Sequence, residues 1–488
     1  MAPYYSPGRV LLAPSAFRSS CLCYDQRHRT PSKRRIESVK RVIVLLLFLG
    51  AALHFYRLDE PREVVFDEVH FGGFVNSYCG SGSYFFDIHP PHAKLMIAGA
   101  AWLGGYRGDQ PFASIGEPIT ALSPALLRLV PAVSGSLLPA LILVVLLQLG
   151  ASRPAAFLGG FAVLLDNGLL IQTRIAALDG PLLLATFGAI SAALAARAAG
   201  AGDSRRGWWL LAGALAGLAA GIKFTGLIAL GIVALCAAAP FACSPRWERF
   251  RIMVSGAVWV LAGATAVYLA GWFIHFHLLT EAGPGNAWGP LTGDLLRDTV
   301  RVHQRMLSAN LTLESLHPYA SPWWSWPAMA RPIFYWNDAE NILYFVGNPV
   351  VWWLSSLGVI AFASISLLMR ASSLTVNRSA GAALKGRNDI WIPVVGFVLS
   401  LAPLTFVPRI LFLYHYLTPL LFAICVVVLG LDHISWTRPG GLRDQRRSYH
   451  VVLLLIAAGF AATAPFSFSF VHASGYQELV FSIFPAWR

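Results

Sequence analysis

The stretch Arg41-Val-Ile-Val-Leu-Leu-Leu-Phe-Leu-Gly-Ala-Ala-Leu-His-Phe-Tyr-Arg57 decides the fold, because it is almost entirely apolar and its charges stand at its two ends. A helix needs about 20 such residues to cross about 30 Å of hydrocarbon. Similar runs recur from Lys40 to Phe470, and 56% of the 488 residues are hydrophobic while 12% are charged. With a mean hydropathy of +0.59, the composition excludes a soluble domain and predicts an all-α polytopic membrane protein.

Hydropathy and the breaks between apolar runs predict eleven membrane spans. They lie near residues 41–57, 124–149, 154–172, 180–198, 208–223, 226–242, 252–275, 346–369, 390–408, 411–431 and 450–469. The chain then divides into a disordered basic tail over residues 1–38, a catalytic membrane domain over 39–470 and a short tail over 471–488. Within the domain, two long segments do not span, residues 58–123 and 276–345. The short apolar run Ala93–Gly105 is predicted as a helix lying in the membrane interface.

The basic residues predict the orientation of these spans. The net charge is +13, yet the 37 Lys and Arg residues fall in short clusters and form no basic face typical of nucleic-acid binding. The clusters occupy every second loop, starting with the N-terminal tail, and such loops face the cytoplasm. We therefore expect a cytoplasmic N-terminus, with segments 58–123 and 276–345 both on the extracytoplasmic side.

An acidic motif follows the first span, Val65-Phe66-Asp67-Glu68-Val69-His70-Phe71-Gly72. Asp67 and Glu68 are adjacent, so on a helix their side chains point about 100° apart and one acts while the other orients. A carboxylate near an apolar interface has a raised pKa, which suits a general base for a hydroxyl group. The alternative is a solvated acidic loop paired with Arg57 or Arg62.

The second motif is Asp87-Ile88-His89-Pro90-Pro91-His92-Ala93-Lys94-Leu95. The two prolines make a rigid turn that holds His89 and begins the helix bearing His92 and Lys94. A metal site formed by these histidines and Asp87 is the alternative, but the prolines prevent a regular helical pair of ligands. The motif favours substrate positioning over metal coordination.

A group of cations is expected on the outer side, against the usual preference of Lys and Arg for the inside. An anionic ligand such as a phosphate explains the group, and anchoring at the interface is the alternative for any single member. The group consists of Arg128, Arg174, Lys223, Arg331 and Arg409.

Acidic residues also lie in or beside the spans, where they are rare and usually paired. Asp166 lies late in the third span and Asp179 opens the fourth. Salt bridges to Arg174 or Arg128 are one interpretation, and contacts to a sugar or an acceptor are the other. Of the six cysteines, Cys79 alone falls on the outer side, so we predict no disulfide framework and no redox or metal role.

Taken in order, several motifs resemble those of the protein O-mannosyltransferase family, membrane glycosyltransferases of the GT-C type. The resemblance runs from about residue 41 to 430. It rests on the two motifs above and on Leu165-Asp166-Asn167, Thr173-Arg174-Ile175, His317-Pro318-Tyr319, Trp323-Trp324-Ser325-Trp326-Pro327, Arg331-Pro332-Ile333-Phe334-Tyr335-Trp336, Gly347-Asn348-Pro349 and Tyr414-His415-Tyr416-Leu417.

The resemblance implies a GT-C fold and transfer of mannose from a polyprenyl (dolichyl-type) phosphate donor to Ser or Thr hydroxyls of proteins, with inversion at the anomeric carbon. It implies Asp67 as the base and Glu68 as its support. The donor phosphate is assigned to Arg128, Lys223, Arg409 and Arg174. Substrate positioning is assigned to His89, His92, Lys94, Asp166, Asp179, His317, Trp326, Arg331 and His415.

We predict no metal and no cofactor besides the lipid-linked donor. The expected partners are that donor, an acceptor polypeptide and the bilayer, with no nucleic acid and an open oligomeric state. Eukaryotic members of the family carry a β-trefoil MIR domain in the large outer loop, for which segment 276–345 is too short. This departure points to a bacterial-type enzyme in the plasma membrane.

Two other classes of protein are alternatives. A sister GT-C enzyme that moves a lipid-phosphate-linked sugar onto a lipid or a cell-wall glycan would share the acids, cations and topology. It should lack the Trp-rich block from His317 to Trp336. A transporter would place charges at the membrane midplane in matching halves, whereas the charges here gather at one face.

Overall fold

The computed structural model describes residues 33–199, 202–238, 246–312, 317–338, 341–372, 389–436, 441–468 and 473–487. The predicted tail over residues 1–38 therefore falls mostly outside the described residues. The described α-helices are α1 (Lys33–Phe55), α2 (Glu68–Asn76), α3 (His92–Leu103), α4 (Pro124–Gln148), α5 (Arg153–Leu164), α6 (Asn167–Gln172), α7 (Asp179–Ala198), α8 (Asp203–Ile222), α9 (Leu227–Ala238), α10 (Arg246–Leu278), α11 (Leu295–Thr312), α12 (Pro349–Ser372), α13 (Trp391–Leu401), α14 (Leu417–Trp436), α15 (Gly441–Phe468) and α16 (Ala473–Ile483).

Each predicted span coincides with helix in the structure. Among the described residues, six helical segments are long and apolar enough to cross a membrane: Glu37–Phe55, Pro124–Gln148, Asp179–Ala198, Phe250–Leu278, Leu413–Asp432 and Arg447–Phe468. Shorter apolar helices are Arg153–Leu164, Phe224–Ala238, Pro349–Ser364 and Trp391–Phe406. The fold is therefore that of a multi-pass helical membrane protein.

The third predicted span, residues 154–172, is not one continuous helix. Helix α5 ends at Leu164 and α6 begins at Asn167, because the Asp166 carboxylate caps α6 by accepting the Leu169 N–H at 2.8 Å. An Asp at such a position satisfies a free helix N–H group and favours a new helix start over continuation.

The two long segments between the spans contact each other. The strands β1 (Ile333–Asn337) and β2 (Ile342–Phe345) form an antiparallel pair with a bulge between Phe334 and Trp336. The N–H of Phe66 donates to the carbonyl of Tyr335 at 3.2 Å, so the acidic motif is tied to β1. Segments 58–123 and 276–345 therefore share one end of the molecule.

The predicted interfacial helix is confirmed as a helix. α3 begins directly after Pro90-Pro91 and packs against α2, α4, α8 and α10. Half of its residues are buried, among them His92 and Lys94. The turn of prolines thus directs two polar side chains into the helical bundle.

Candidate active site

Asp67 stands at the start of α2 with an available carboxylate. An Asp in this position ordinarily accepts a helix N–H, yet here the side chain makes no capping bond. Phe66, the residue before it, has a φ of 45°, a conformation that is strained for a bulky residue. Stacking of Phe66 on Tyr335, with ring centroids 4.2 Å apart, holds this turn in place. The strained turn presents Asp67 without a hydrogen-bond partner among the described residues.

The surroundings of Asp67 make it a stronger base than an exposed carboxylate. The side chain is half-buried, and burial raises its pKa to about 6, while His70 and Lys223 act in the opposite direction. The carboxylates of Asp179 and Asp87 raise the pKa further. A base with a pKa close to neutral can take a proton from a hydroxyl group and release it again.

Lys223 lies between α8 and α9, in extended backbone with φ −145° and ψ 150°. Its ammonium donates to Asp179 at 2.8 Å and lies 5.4 Å from the centroid of the Tyr414 ring. The other Asp179 oxygen accepts from the side-chain nitrogen of Gln172 at 2.8 Å, and the Tyr335 hydroxyl donates to the side-chain oxygen of Gln172. A chain of polar contacts therefore connects Lys223 with the strand that holds the Phe66 turn.

The proline turn contributes a second set of groups to the same region. The buried ammonium of Lys94 donates to the Asp87 carboxylate and to the carbonyl of His89 at 2.6 Å. Burial, followed by the positive charges of Lys223 and Arg409, holds the pKa of His89 well below its ordinary value. The neutral imidazole of His89 thus faces a cationic region.

Arg409 completes this region from the segment between α13 and α14. Its Nε donates to Asn310 of α11 at 2.9 Å, and one terminal nitrogen donates to its neighbour's carbonyl, that of Ile410, at 3.3 Å. Within the described part of the chain, its Nη2 has no partner. His415 lies within electrostatic range of both Arg409 and Lys223. The structure therefore brings Lys223, Arg409, His89 and His415 together near Asp67.

Glu68 and Arg128 instead form a closed structural pair. Glu68 is 0% exposed and Arg128 is 1% exposed. Arg128 donates to both Glu68 oxygens at 2.8 and 3.0 Å, and to the carbonyls of Leu58, Pro61 and Glu63. These bonds engage all five guanidinium N–H groups. The prediction that Arg128 binds the donor phosphate is therefore wrong for this conformation.

Arg174 is likewise committed to the fold. It donates to the carbonyls of Leu53, His54 and Arg57, at the C-terminal end of α1, and lies over the Phe468 ring. A cation at this end of a helix satisfies its free carbonyls. Arg174 thus caps a helix, and its role as a phosphate ligand stays a prediction.

Asp166 also belongs to the fold. It is 0% exposed and accepts from the N–H groups of Leu169 and Asn348 and from the indole of Trp352. Its partners are N–H groups, so the predicted salt bridge to Arg174 or Arg128 is absent, and no sugar contact is available to it.

His92 and Trp326 are also structural. The two ring nitrogens of His92 lie 2.8 and 3.0 Å from the carbonyls of Gly221 and Val267. Burial lowers the His92 pKa, while these carbonyls act in the opposite direction. Trp326 is buried, with its indole N–H bound to Ser321. Neither side chain can position a substrate directly.

The remaining two predicted residues lie at the margin of the site. His317 accepts the Tyr319 N–H at 3.2 Å and packs edge-on against Phe412. Arg331 donates twice to the carbonyl of Pro318, at 3.1 and 2.7 Å. Both shape the loop beside the 412–416 segment and neither contacts Asp67.

The sequence analysis did not assign three residues to the site. Tyr414 lies within electrostatic range of Asp67, Asp179 and Arg409. Gln172 and Asn310 hold Asp179 and Arg409. In the sequence, Gln172 and Tyr414 are polar side chains at the end of an apolar run, which could have indicated that they belong to the site. Asn310 lies in an amphipathic segment, and no sequence feature distinguishes it.

Among the described residues, no cluster of three or more His, Cys, Asp or Glu could hold a metal ion. Metal independence stays a prediction.

Two family models match the chain. The model described as dolichyl-phosphate-mannose-protein mannosyltransferase matches residues 44–280. The C-terminal four-transmembrane region of protein O-mannosyltransferase matches residues 295–480. Together they include Asp67, Lys223 and Arg409.

Individual relatives match about half of the chain. Protein O-mannosyltransferase 1 of Drosophila melanogaster is 35% identical over 255 residues, 49% of this chain and 28% of that protein. Dolichyl-phosphate-mannose–protein mannosyltransferase 1 of Saccharomyces cerevisiae is 31% identical over 260 residues, 50% of this chain and 31% of that protein. The chain thus aligns with under a third of the length of either relative.

Solved structures share the fold over most of the chain. The S. cerevisiae protein O-mannosyltransferase Pmt1-Pmt2 complex bound to the sugar donor superposes with a TM-score of 0.79 at 19% identity, covering 88% of this chain and 90% of that chain. ArnT from Cupriavidus metallidurans in the apo state gives 0.50 at 15% identity, covering 90% and 68%. The architecture is therefore of the GT-C type.

Proposed function

Because this chain belongs to the protein O-mannosyltransferase family, we propose that it transfers mannose from a polyprenyl-phosphate donor to Ser and Thr hydroxyls of polypeptides. The donor supplies both the sugar and a phosphate leaving group, and the acceptor supplies a hydroxyl nucleophile. The site must therefore hold a base and fixed positive charge on opposite sides of one sugar.

One observation carries the proposal: Asp67 is half-buried, has no hydrogen-bond partner among the described residues, and lies within electrostatic range of Lys223. A carboxylate kept free in a strained turn is costly unless something uses it. A nearby buried cation in the same region gives an anion a place to bind.

The chemistry balances with these groups alone. The acceptor oxygen attacks C1 of mannose from the face opposite the phosphate, forming a new C1–O bond with inversion. The C1–O bond to phosphate breaks, and its electron pair goes to the phosphate oxygen. Asp67 takes the hydroxyl proton. Lys223 and Arg409 offset the charge that develops on the leaving phosphate, a contribution that is usually large in a water-poor site.

The cation set is smaller than the sequence predicted. Arg128 uses all of its donors on the fold itself, and Arg174 uses both of its terminal nitrogens on the carbonyls at the end of α1. Lys223 shares its ammonium with Asp179 alone among the described acids, and Arg409 retains an unpartnered Nη2. Lys223 and Arg409 are therefore the proposed phosphate ligands, with His89 and His415 beside them.

We place the site on the extracytoplasmic face of a bacterial plasma membrane, with the N-terminus in the cytoplasm. The support is the alternation of basic loops along the sequence. The two outer segments also meet at one end of the molecule, as the topology requires.

The test uses the full chain in detergent with polyprenyl-phosphate mannose and a Ser/Thr peptide. We expect mannosylated peptide and released polyprenyl phosphate, both unaffected by a chelator. Asp67→Asn should abolish both products. Asp109→Asn, an exposed acid in the same segment, is the matched control and should retain them.

Two results would overturn the proposal. Transfer to a lipid or glycan with none to peptide would assign the chain to the sister reaction. Full activity of Asp67→Asn would remove Asp67 from the chemistry.

A further inference from the structure

Helix α11 has three distinct faces, and only one of them packs onto the rest of the protein. Its buried face carries Asp298, Thr299, Val302, Met306 and Ala309. These positions recur at the helical period and pack the helix onto the molecule. One of the other two faces is exposed and the other is partly exposed, and they differ in chemistry.

The buried face fixes where α11 lies relative to the membrane. Val302 and Met306 pack around Trp272 of α10, and Tyr268 and Phe276 join the same cluster. These α10 residues belong to the outer turns of the apolar segment Phe250–Leu278. α11 therefore lies beside the end of a span, at the depth of the membrane interface.

The first exposed face is an apolar stripe. Leu296, Val300, Leu307 and Leu311 are between 53% and 66% exposed. At 3.6 residues per turn, these four positions fall within about 60° of one another. On α10, Phe273 and Ile274 are exposed beside the same cluster. The stripe thus continues the lipid-facing surface of a span.

The remaining face is cationic, with Arg297 exposed, Arg301 half-buried and Arg305 half-buried against Gly289. Arg297, Arg301 and Arg305 recur every four residues, so they form one row about 100° around the helix from the stripe. Among the described residues none of the three forms a salt bridge. The nearby acids form other hydrogen bonds. Asp298 of α11 accepts from Thr292 and Gly293, and Asp294, the residue before the helix, accepts the N–H of Arg297.

We propose that α11 is an in-plane helix that binds the anionic headgroups of the surrounding lipid. The apolar stripe inserts among the acyl chains and the arginine row contacts the phosphates above it. An apolar face bordered by cations is the pattern of helices that lie in a membrane interface, and each such cation near an anionic surface adds to the attraction. This inference stands apart from the proposed sugar transfer.

The test measures lipid locally, at the stripe itself. In a background with the native cysteines replaced, Leu307→Cys carries an environment-sensitive fluorophore, and the protein is reconstituted in vesicles. Ser308→Cys is the matched control, because Ser308 is exposed on the adjacent face. Brominated acyl chains should quench the label at 307 strongly and at 308 weakly, while aqueous iodide should show the reverse.

Headgroup selectivity is then read from the same label. Brominated phosphatidylglycerol should quench position 307 several-fold better than brominated phosphatidylcholine at equal mole fraction, and high salt should reduce the difference. The variant R297Q/R301Q should remove the selectivity. R62Q/R107Q, which neutralises two exposed outer arginines, should retain it.

Three outcomes would overturn the inference. Equal quenching by the two lipids would remove headgroup binding. Iodide access at 307 equal to that at 308 would place the stripe in water. Shielding of 307 from both quenchers would show that protein, such as a second copy of this chain, covers the stripe.

Discussion

At the residue scale, two adjacent carboxylates have opposite roles. Glu68 is fully buried and bonded on both oxygens, whereas Asp67 is half-buried and has no hydrogen-bond partner among the described residues. The sequence predicted that one acid acts and the other orients, since adjacent helical positions point about 100° apart. The structure adds how Glu68 orients: it fixes the turn that presents its neighbour.

The raised pKa of Asp67 predicts the pH dependence of transfer. A base must be ionised to accept a proton, and burial raises the pKa of this carboxyl to about 6. We expect the rate to be flat at higher pH and to fall about tenfold per unit as pH drops below that value. Initial rates at fixed ionic strength measure this profile. A half-maximal pH near the ordinary value for Asp would show that the carboxyl is solvated.

Loss of the Glu68 carboxylate should destabilise the protein. Glu68→Ala leaves Arg128 buried with no counter-charge, which costs about 3–5 kcal/mol for a pair this buried. Thermal unfolding in detergent should show a large decrease in midpoint. Arg128→Ala should do the same, and the double variant should lose less than the sum of the two.

A different result would change the role of Glu68. If Glu68→Gln unfolds like the parent protein but no longer transfers mannose, then Glu68 contacts the substrate and its support of the fold is secondary.

At the scale of elements, His92 joins three helices. It begins α3 and its ring lies between Gly221 of α8 and Gly271 of α10, where an added Cβ on either glycine would overlap the ring. The sequence could place His92 after a proline turn, but could not show which helices would pack around it. The prediction of substrate positioning failed because the partners of His92 are distant in sequence.

This packing predicts which glycines tolerate a methyl group. Gly221→Ala and Gly271→Ala should each lower the unfolding midpoint and the yield of folded protein. Gly231→Ala is the control, because no atom lies within 4 Å of its added Cβ, so helix propensity should leave it neutral or slightly more stable. Equal effects at all three positions would contradict the packing of His92 between α8 and α10.

Asn310 connects α11 with the active site. Its side-chain oxygen accepts from Arg409 at 2.9 Å and its nitrogen donates to the Met306 carbonyl at 2.8 Å. Asn310→Ala should leave the Arg409 guanidinium poorly oriented, raising KM for the donor several-fold with a smaller change in kcat. Gln304→Ala, exposed on the same helix, should change neither constant. A decrease in kcat alone would show that Asn310 does not act through donor binding.

At the scale of the whole molecule, the length of the apolar runs predicted most of the helical architecture, whereas the orientation from charge alternation stays a prediction. Within the described residues the eleven predicted spans fall on helices, the third of them on two, and the break at Lys223 lies between α8 and α9 as expected. These features follow from local composition. The structural roles of Arg128 and Arg174 do not follow from local composition. Their partners include backbone carbonyls of residues 53–63, which converge only in the folded chain. An arginine beside a span gives the same sequence pattern whether it binds a ligand or stabilises a turn.

The same reasoning gives a topology that labelling can check. If basic loops face the cytoplasm, Ser114 and Ser308 lie outside and Ser204, in the first turn of α8, lies inside. All three are exposed, so each can carry a single cysteine in a background without the others. A membrane-impermeant maleimide should label Ser114→Cys and Ser308→Cys in intact cells, and Ser204→Cys only after permeabilisation. Labelling of all three in intact cells, or of Ser204→Cys alone, would contradict the orientation. The latter result would place Asp67 and its cations on the cytoplasmic face, where secreted polypeptides could not reach them as acceptors after export.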